Sequence, residues 1–227
     1  MKNNNKFRLD VWGAITLGTI ALYALFLLYP MAYLIRQSVL DPDTGGFTLA
    51  YFTKFFSKSY YFDTLINSFK VSITATVLSI AIGTPLAYLF TIFKIKGKSV
   101  LNILIVVASM SAPFIGAYSW ILLLGRSGVI TAFFKNLGIA IPDIYGFGGI
   151  VLVMTLQLFP LVFLYAKGAL KNIDNSLIEA AENLGCSGIA CFFKVVVPLI
   201  MPTLLAAALL VFMRSFADFG TPMLIGE

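Results

Sequence analysis

The chain has 227 residues, 59% of them hydrophobic and only 11% charged, with a mean hydropathy of +0.94. Ordinary soluble domains carry about a quarter charged residues, so this composition excludes a soluble globular protein and requires solvation largely by lipid. The net charge of +6 is not a nucleic-acid footprint, because the basic residues sit in short loops at the ends of apolar runs, and the lack of histidine removes the commonest metal ligand and proton shuttle.

Residues 1–10 are polar and basic and are expected to fray. Val11 to Ile35 carries no charge over about 25 residues, enough for a tilted spanning helix. It is too long for a signal-peptide core, and no small-x-small cleavage site follows, so it reads as a retained first span. Residues 36–66 read as a mixed polar and aromatic loop containing Asp41-Pro42-Asp43-Thr44-Gly45-Gly46. Val71 to Phe93 is the second span, and Lys94, Lys96 and Lys98 crowd the hairpin after it. Val100 to Leu124 is the third, with a kink expected at Pro113 and Gly116. Residues 125–147 form a loop whose apolar piece, Val129 to Phe134, is too short to cross. Gly149 to Leu170 is the fourth span, interrupted by Pro160. Val195 to Met213 is the fifth, with Pro198 and Pro202 in its first turns, where proline is best tolerated. The fold class is therefore all-α, a polytopic membrane helical bundle of about five transmembrane helices.

Basic residues set the orientation. With the N-terminus inside, the cytoplasmic side collects Lys2, Lys6, Arg8, the Lys94/Lys96/Lys98 cluster, Lys167, Lys171 and Lys194. The other side has Arg36, Lys54, Lys58, Lys70, Arg126, Lys135 and Arg214, spread over longer loops, so density favours N-in. The polar island between the fourth and fifth spans then faces the cytoplasm. There Ser176 and Glu179 are spaced as a capping box, and Leu177, Ala181 and Leu184 share one helix face, with Glu179, Glu182 and Asn183 on others. Gly185 stands where a left-handed helix stop belongs, and Ser187 can cap a second helix. The result is a helix, a glycine break and a second helix, a knob facing water.

At these residues the chain resembles the membrane subunits of binding-protein-dependent ABC importers. Their pattern is Glu-Ala-Ala, three residues, Gly, nine residues, Ile, one residue, Leu-Pro. Here it reads Glu179-Ala180-Ala181, Gly185, Val195 and Val197-Pro198, with valine at two aliphatic positions. Phe47-Thr48-Leu49-Ala50-Tyr51-Phe52, Asn67-Ser68 and Gly83-Thr84-Pro85-Leu86-Ala87-Tyr88 are similar to the same family, so the resemblance covers essentially the whole chain. It implies a permease subunit in a bacterial cytoplasmic (inner) membrane, with residues 1–227 as one transmembrane permease domain and 171–198 as its coupling loop. It implies as partners an ABC ATPase inside, an extracytoplasmic substrate-binding protein, a second permease half or copy, and the lipid bilayer, with no nucleic acid and no cofactor. The knob, through Glu179, Ala180, Ala181, Gly185, Val195, Val197 and Pro198, would dock into a cleft on the ATPase; the alternative is a loop that only links two spans. The last residues, Met223-Leu224-Ile225-Gly226-Glu227, are expected outside with no return span, which suggests a partial product that would not transport by itself.

Ser215-Phe216-Ala217-Asp218-Phe219-Gly220-Thr221-Pro222 looks like the iron(III) permeases, with polyamine, phosphonate and thiamine permeases as alternatives. Intramembrane polar residues are the default pathway candidates: Gln157, three residues before Pro160, then Ser109 and Ser111, and Arg214 with Asp218 as an i,i+4 pair at a helix end. Each could instead be packing glue or a surface pair. Lys167 is expected to snorkel to the interface. No catalytic or metal site is expected: Gly97-Lys98-Ser99 mimics the end of a phosphate loop, but Ile92 stands where its first glycine belongs. Cys186 and Cys191 have no further ligands near them in sequence for zinc. A more distant class is an ATP-independent channel or secondary transporter, which the lack of Asp and Glu in the predicted spans disfavours. The topology is tested by Gly45→Cys and Gly97→Cys in intact cells: an impermeant thiol reagent should label the first and spare the second, and the reverse pattern overturns the N-in assignment.

Overall fold

The computed structural model describes residues 11–41, 45–93, 96–110, 112–139, 143–186 and 188–226. The basic residues 1–10, Pro42, Asp43, Thr44, Lys94, Ser111 and Ser187 lie outside the described residues. In chain order the helices are α1 (Val11–Val39), α2 (Ala50–Ser57), α3 (Ser59–Ile92), α4 (Lys98–Ser109), α5 (Pro113–Leu124), α6 (Val129–Asn136), α7 (Phe147–Lys171), α8 (Asn175–Asn183), α9 (Gly188–Phe216) and α10 (Gly220–Ile225). Among the described residues the extended pairing is limited to one bridge, Leu40 with Phe47. Five segments are long and apolar enough to cross a membrane: Val11–Val39, Ser59–Ile92, Phe114–Asn136, Phe147–Lys171 and Gly188–Phe216. The all-helical, five-span expectation holds, but the third apolar segment is Phe114–Asn136, which takes in α6 and so the Val129 to Phe134 piece read as a loop too short to cross, and two further places change.

The first change is the segment read as a loop over residues 36–66, which contains the last turn of α1, all of α2 and the first two turns of α3. Thr48 Oγ1 accepts the Ala50 N–H at 3.1 Å where α2 begins, and Ser59 donates to Asp63 at 2.7 Å in the first turn of α3. Aromatic residues mixed with polar ones are as typical of interfacial helices as of loops. The second change is the third span. In place of one kinked helix over Val100–Leu124, α4 and α5 are separate helices of 12 residues each, with Met110 and Ala112 outside both. Pro113 starts α5 at its first position, and Ala112 before it is extended at φ −69° and ψ 142°, because the proline ring disfavours helical geometry in the preceding residue. Gly116 lies within α5 and marks no kink.

Two prolines receive the same treatment. Ala24–Leu28 within α1 and Phe192–Val196 within α9 are π-turns, each ending two residues before a proline, Pro30 and Pro198. Their closing bonds run from Tyr29 N–H to the Ala24 carbonyl and from Val197 N–H to the Phe192 carbonyl. A proline ring clashes with the carbonyl four residues back, here Phe26 and Lys194, and the wider turn relieves that clash.

The chain forms two compact units, Met1–Thr64 and Leu65–Glu227. In the first, none of the apolar window of α1 is buried. In the second, α7 is the central post. Its Val162, Phe163 and Ala166 pack with Ala87 and Phe90 of α3 and with Val196 and Ile200 of α9. Toward its other end Val153 and Met154 meet Ala75, Ala117 and Ile225. The ends are tied by the Gly146 N–H, which donates to the Ile225 carbonyl at 2.9 Å. Gly83 lets α3 and α7 touch closely: a Cβ there would lie 2.8 Å from Val162 Cβ and 2.9 Å from the Phe159 carbonyl oxygen. Gly83→Val should therefore cost about 1–3 kcal/mol by overpacking and lower the melting temperature in detergent. Gly168→Ala, on the same post in open space, should leave it unchanged or raise it, since alanine favours helix over glycine. Equal melting temperatures for Gly83→Val and the parent chain would refute the close contact.

Candidate functional site

Local chemistry shapes the knob. The N-cap of α8 is Asp174: its carboxylate accepts the Ser176 N–H at 2.9 Å, and its carbonyl accepts the Leu177 N–H at 3.1 Å. The capping box expected at Ser176 and Glu179 is therefore displaced, with Ser176 inside the helix and Glu179 exposed on its surface. Aspartate two residues earlier offers a charged acceptor to the same helix end, and an anion there also complements the helix dipole. Hydrogen bonds from the Ser176 backbone and hydroxyl hold the Asp174 carboxyl below the usual carboxylate range. Because its folded-state pKa is depressed, the cap stabilises α8 fully above the ordinary carboxylate pKa and is lost as pH falls through the lowered value.

The helix ends at Gly185, whose φ of +83° is left-handed. The Cys186 N–H reaches back to the Ala181 carbonyl at 3.0 Å, the six-to-one bond of a glycine helix stop. A Cβ on Gly185 would meet nothing within 4 Å in this chain. The surface around it is apolar: Leu177, Leu184, Ile189 and Phe193 are 50, 89, 78 and 63% exposed, and Ala180 is exposed too. Sequence reasoning placed Leu177 and Leu184 on one helix face but credited only the motif residues, the alanines and the glycine among them, with docking, and it passed over Ile189. Large aliphatic residues inside an otherwise polar island were the signal that could have found them. Val195 and Val197 are half-buried around the fully buried Val196 within and just after the π-turn, and Pro198 is exposed. The second half of the motif thus seats the knob on the bundle, while the first half presents its surface.

The pathway candidates converge. Ser109, Gln157, Arg214 and Asp218 line one cavity of about 450 Å³, together with Phe114, Leu158, Ala217, Phe219 and Gly220. Ser111 is outside the described residues. The break between α4 and α5 leaves Ser109 at a helix end, its hydroxyl donating to the Val106 carbonyl at 2.6 Å. Gln157 lies against Gly116, where a Cβ would collide with its amide nitrogen. Gly116, read as a kink, is therefore the seat of a polar side chain.

The expected Arg214–Asp218 ion pair is not made. Asp218 instead accepts the Gly220 N–H at 2.8 Å, the Thr221 N–H at 3.2 Å and the Thr221 hydroxyl at 2.6 Å, and so caps α10. Among the described residues the one ion pair is Arg126–Asp143 at 3.1 Å, so Arg214 brings a positive charge to the cavity wall without a carboxylate in salt-bridge range. Lys167 also departs from the snorkelling expectation: its ammonium donates to Asn102 Oδ1 and ties α7 to α4.

A helical membrane bundle with an exposed helix–glycine–helix knob between its last two long helices has the build of a transport permease. Residues 46–227 match the family described as binding-protein-dependent transport system inner membrane component, and the chain belongs to that family. It is thus a multi-pass inner-membrane protein of a family of transport-system components. It is 28% identical over 229 residues to the ferric transport system permease protein FbpB of Actinobacillus pleuropneumoniae, a match covering 100% of this chain and 32% of that protein. It is also 28% identical over 232 residues to the spermidine/putrescine transport system permease protein PotB of Haemophilus influenzae, covering 98% of this chain and 79% of that one. The chain spans about a third of the length of the ferric-transport relatives it matches. A solved bacterial alginate ABC transporter, in complex with an alginate pentasaccharide-bound periplasmic protein, shares the fold with a TM-score of 0.71 at 19% identity, over 97% of this chain and 77% of that chain.

The cavity chemistry separates two neighbouring residues by their roles. Asp218→Ala should lose a helix cap of about 0.5–2 kcal/mol, and Asp218→Asn should keep most of it. Arg214→Ala, with no ion pair to lose, should stay within about 0.5 kcal/mol of the parent. Thermal unfolding in detergent reads all three, and equal losses for Asp218→Ala and Arg214→Ala would restore the ion-pair reading.

Proposed function

We propose that this chain is the membrane-spanning permease subunit of an ATP-driven importer. It receives substrate from an extracytoplasmic binding protein, pairs with a second permease half, and is driven by a separate ABC ATPase on the cytoplasmic side. The observation that carries this reading is the knob. Its apolar side chains stand exposed around a left-handed glycine in open space, and an exposed apolar patch rimmed by polar residues marks a protein docking surface. Glu179, Ala180, Ala181 and Gly185 form the docking face, and Val195, Val197 and Pro198 transmit its position to α9. Gln157, Ser109, Arg214 and Asp218 line the substrate route in this reading.

Ferric iron is the proposed substrate. The likeness to FbpB over the whole chain supports it, as does the segment Ser215–Pro222. Polyamine is the second reading, favoured by one observation: the match to PotB covers 79% of that protein against 32% of FbpB. Uptake of radioactive iron and of spermidine by cells carrying the intact system, with and without this chain, separates the two.

Coupling is tested at Gly185. Any β-carbon at that backbone conformation costs about 1 kcal/mol or more, and Gly185→Glu adds a charged side chain that only a docked partner would meet. The variant should insert in the membrane at parental levels, yet lose co-purification with the ATPase and lose uptake. Gly185→Ala should be intermediate, and Glu179→Ala milder still, because Glu179 is exposed and caps nothing. If Gly185→Glu retains both ATPase binding and full uptake, the knob is a plain connector.

A further inference from the structure

A second polar cavity, of about 350 Å³, lies where the end of α3, the start of α4 and the last turns of α7 meet. Thr91, Lys98, Ser99, Asn102, Lys167 and Lys171 line it. Three lysine side chains thus share one small space, and among the described residues no carboxylate lines it. Lys167 is held by the neutral amide of Asn102. The one described ion pair, Arg126–Asp143, involves none of these lysines. Like charges gathered in a partly desolvated site repel one another, and an anion placed among them removes that cost.

Two further features define the anion. Helix α4 begins at Lys98 with no side-chain cap, so its first-turn N–H groups add donors and a positive dipole end at the same place. The hydroxyl of Ser99 adds another donor. Ammonium groups, hydroxyls and a helix N-terminus together suit a phosphate. Exposed apolar side chains lie close by along the chain: Phe93 just after α3 and Leu101 and Leu104 on α4 are 55, 42 and 58% exposed. A free phosphate has no use for that surface, whereas acyl chains would cover it. We infer that this cavity is a binding site for the phosphate headgroup of an anionic phospholipid, held by Lys98, Lys167 and Lys171 with its acyl chains along α3 and α4. The site lies at the end of α7 that leads into the knob, so a bound lipid would brace the base of the coupling loop. The inference does not depend on the transport reading, because binding is measured without transport.

The test uses the full chain, purified in detergent and stripped of lipid, with binding followed by native mass spectrometry. Dioleoylphosphatidylglycerol should bind more tightly than zwitterionic dioleoylphosphatidylcholine, and millimolar inorganic phosphate should compete only weakly. Lys98→Gln and Lys171→Gln should each weaken phosphatidylglycerol binding roughly fivefold, the contribution of one lysine near an anionic lipid surface. Lys98→Arg should restore most of the loss, and Lys135→Gln, a basic residue outside the cavity, should change nothing. Melting temperatures of the lipid-free variants serve as the folding control. The lipid assignment is overturned if the two lipids bind alike, or if Lys98→Gln and Lys171→Gln bind as the parent does. It is equally overturned if inorganic phosphate displaces phosphatidylglycerol at equal concentration. Absence of lipid binding, with the same lysines shielded from acetylation by the purified ATPase subunit, would assign the cavity to a protein contact instead.

Discussion

In hydrocarbon every backbone N–H and C=O must find a partner within the protein, and each failure costs several kcal/mol. This chain nevertheless carries nine prolines, most of them in or beside apolar segments. The way each missing donor is absorbed determines much of the architecture. Pro30 and Pro198 follow π-turns, Pro113 begins a helix after a complete break, and Pro85, Pro160 and Pro202 sit inside continuous helices. The π-turn in α9 has a packing consequence. Phe192, Val196, Ile200 and Leu204 are all buried at steps of four residues, which in a pure α-helix would drift by about 40° per step. The wider π-turn takes back part of that drift and keeps the stripe against α7.

The break before Pro113 has a different consequence. It divides a membrane segment into α4 and α5 and leaves Ser109 at a helix end facing Gln157, Arg214 and Asp218. Non-helical backbone at membrane depth is tolerated where it is buried in protein or lines a cavity. The cavity and the break are thus parts of one arrangement. Gly116 and Gly220 complete it, the first admitting the Gln157 amide and the second lying 3.1 Å, measured from a built Cβ, from the Phe114 ring.

Run length and charge made the spanning segments legible in the sequence, because the hydrophobic requirement of a bilayer is one-dimensional. Gly185 was legible as well, since a glycine after a short amphipathic helix has few other uses. The unread parts depended on three-dimensional competition. Ser176 and Asp174 were both acceptable caps for α8, and the carboxylate prevailed. Arg214 and Asp218 had pairing distance along a helix, but the helix ends at Phe216, and the turn that follows brings three donors to Asp218. Whether Pro113 kinks a helix or begins a new one is a question no periodicity answers, and here Ala112 is extended and Pro113 opens α5. Glycines carried the most hidden information: Gly83, read only as part of a family motif, sets a helix contact, and Gly116, read as a kink, admits a polar side chain.

The two sites are joined by rigid elements rather than by loops. Helix α9 runs from Gly188, at the knob, to Arg214 and Phe216, at the cavity. About 20 residues of helix separate Phe193 from Arg214, which is roughly 30 Å at 1.5 Å per residue. Helix α7 runs alongside it from Lys171 to Gln157 and shares its buried face. On the proposed coupling, a partner that tilts the knob acts on one end of a lever whose other end carries Arg214. Because α9 packs along α7 through fully buried side chains such as Val196, Ile200 and Val211, the helix cannot bend locally without opening voids that a close-packed interior resists. Motion at the knob is then passed on as a shift of the whole helix. The hydrogen-bond ladder of α9 is widened at the π-turn before Pro198, at the knob end of the lever. In the proposed coupling, a compliant joint there would let the knob reseat on a partner while the remainder of α9 moves as a unit, which gives Val195 within the π-turn and Val197 and Pro198 just after it a mechanical role distinct from the docking face.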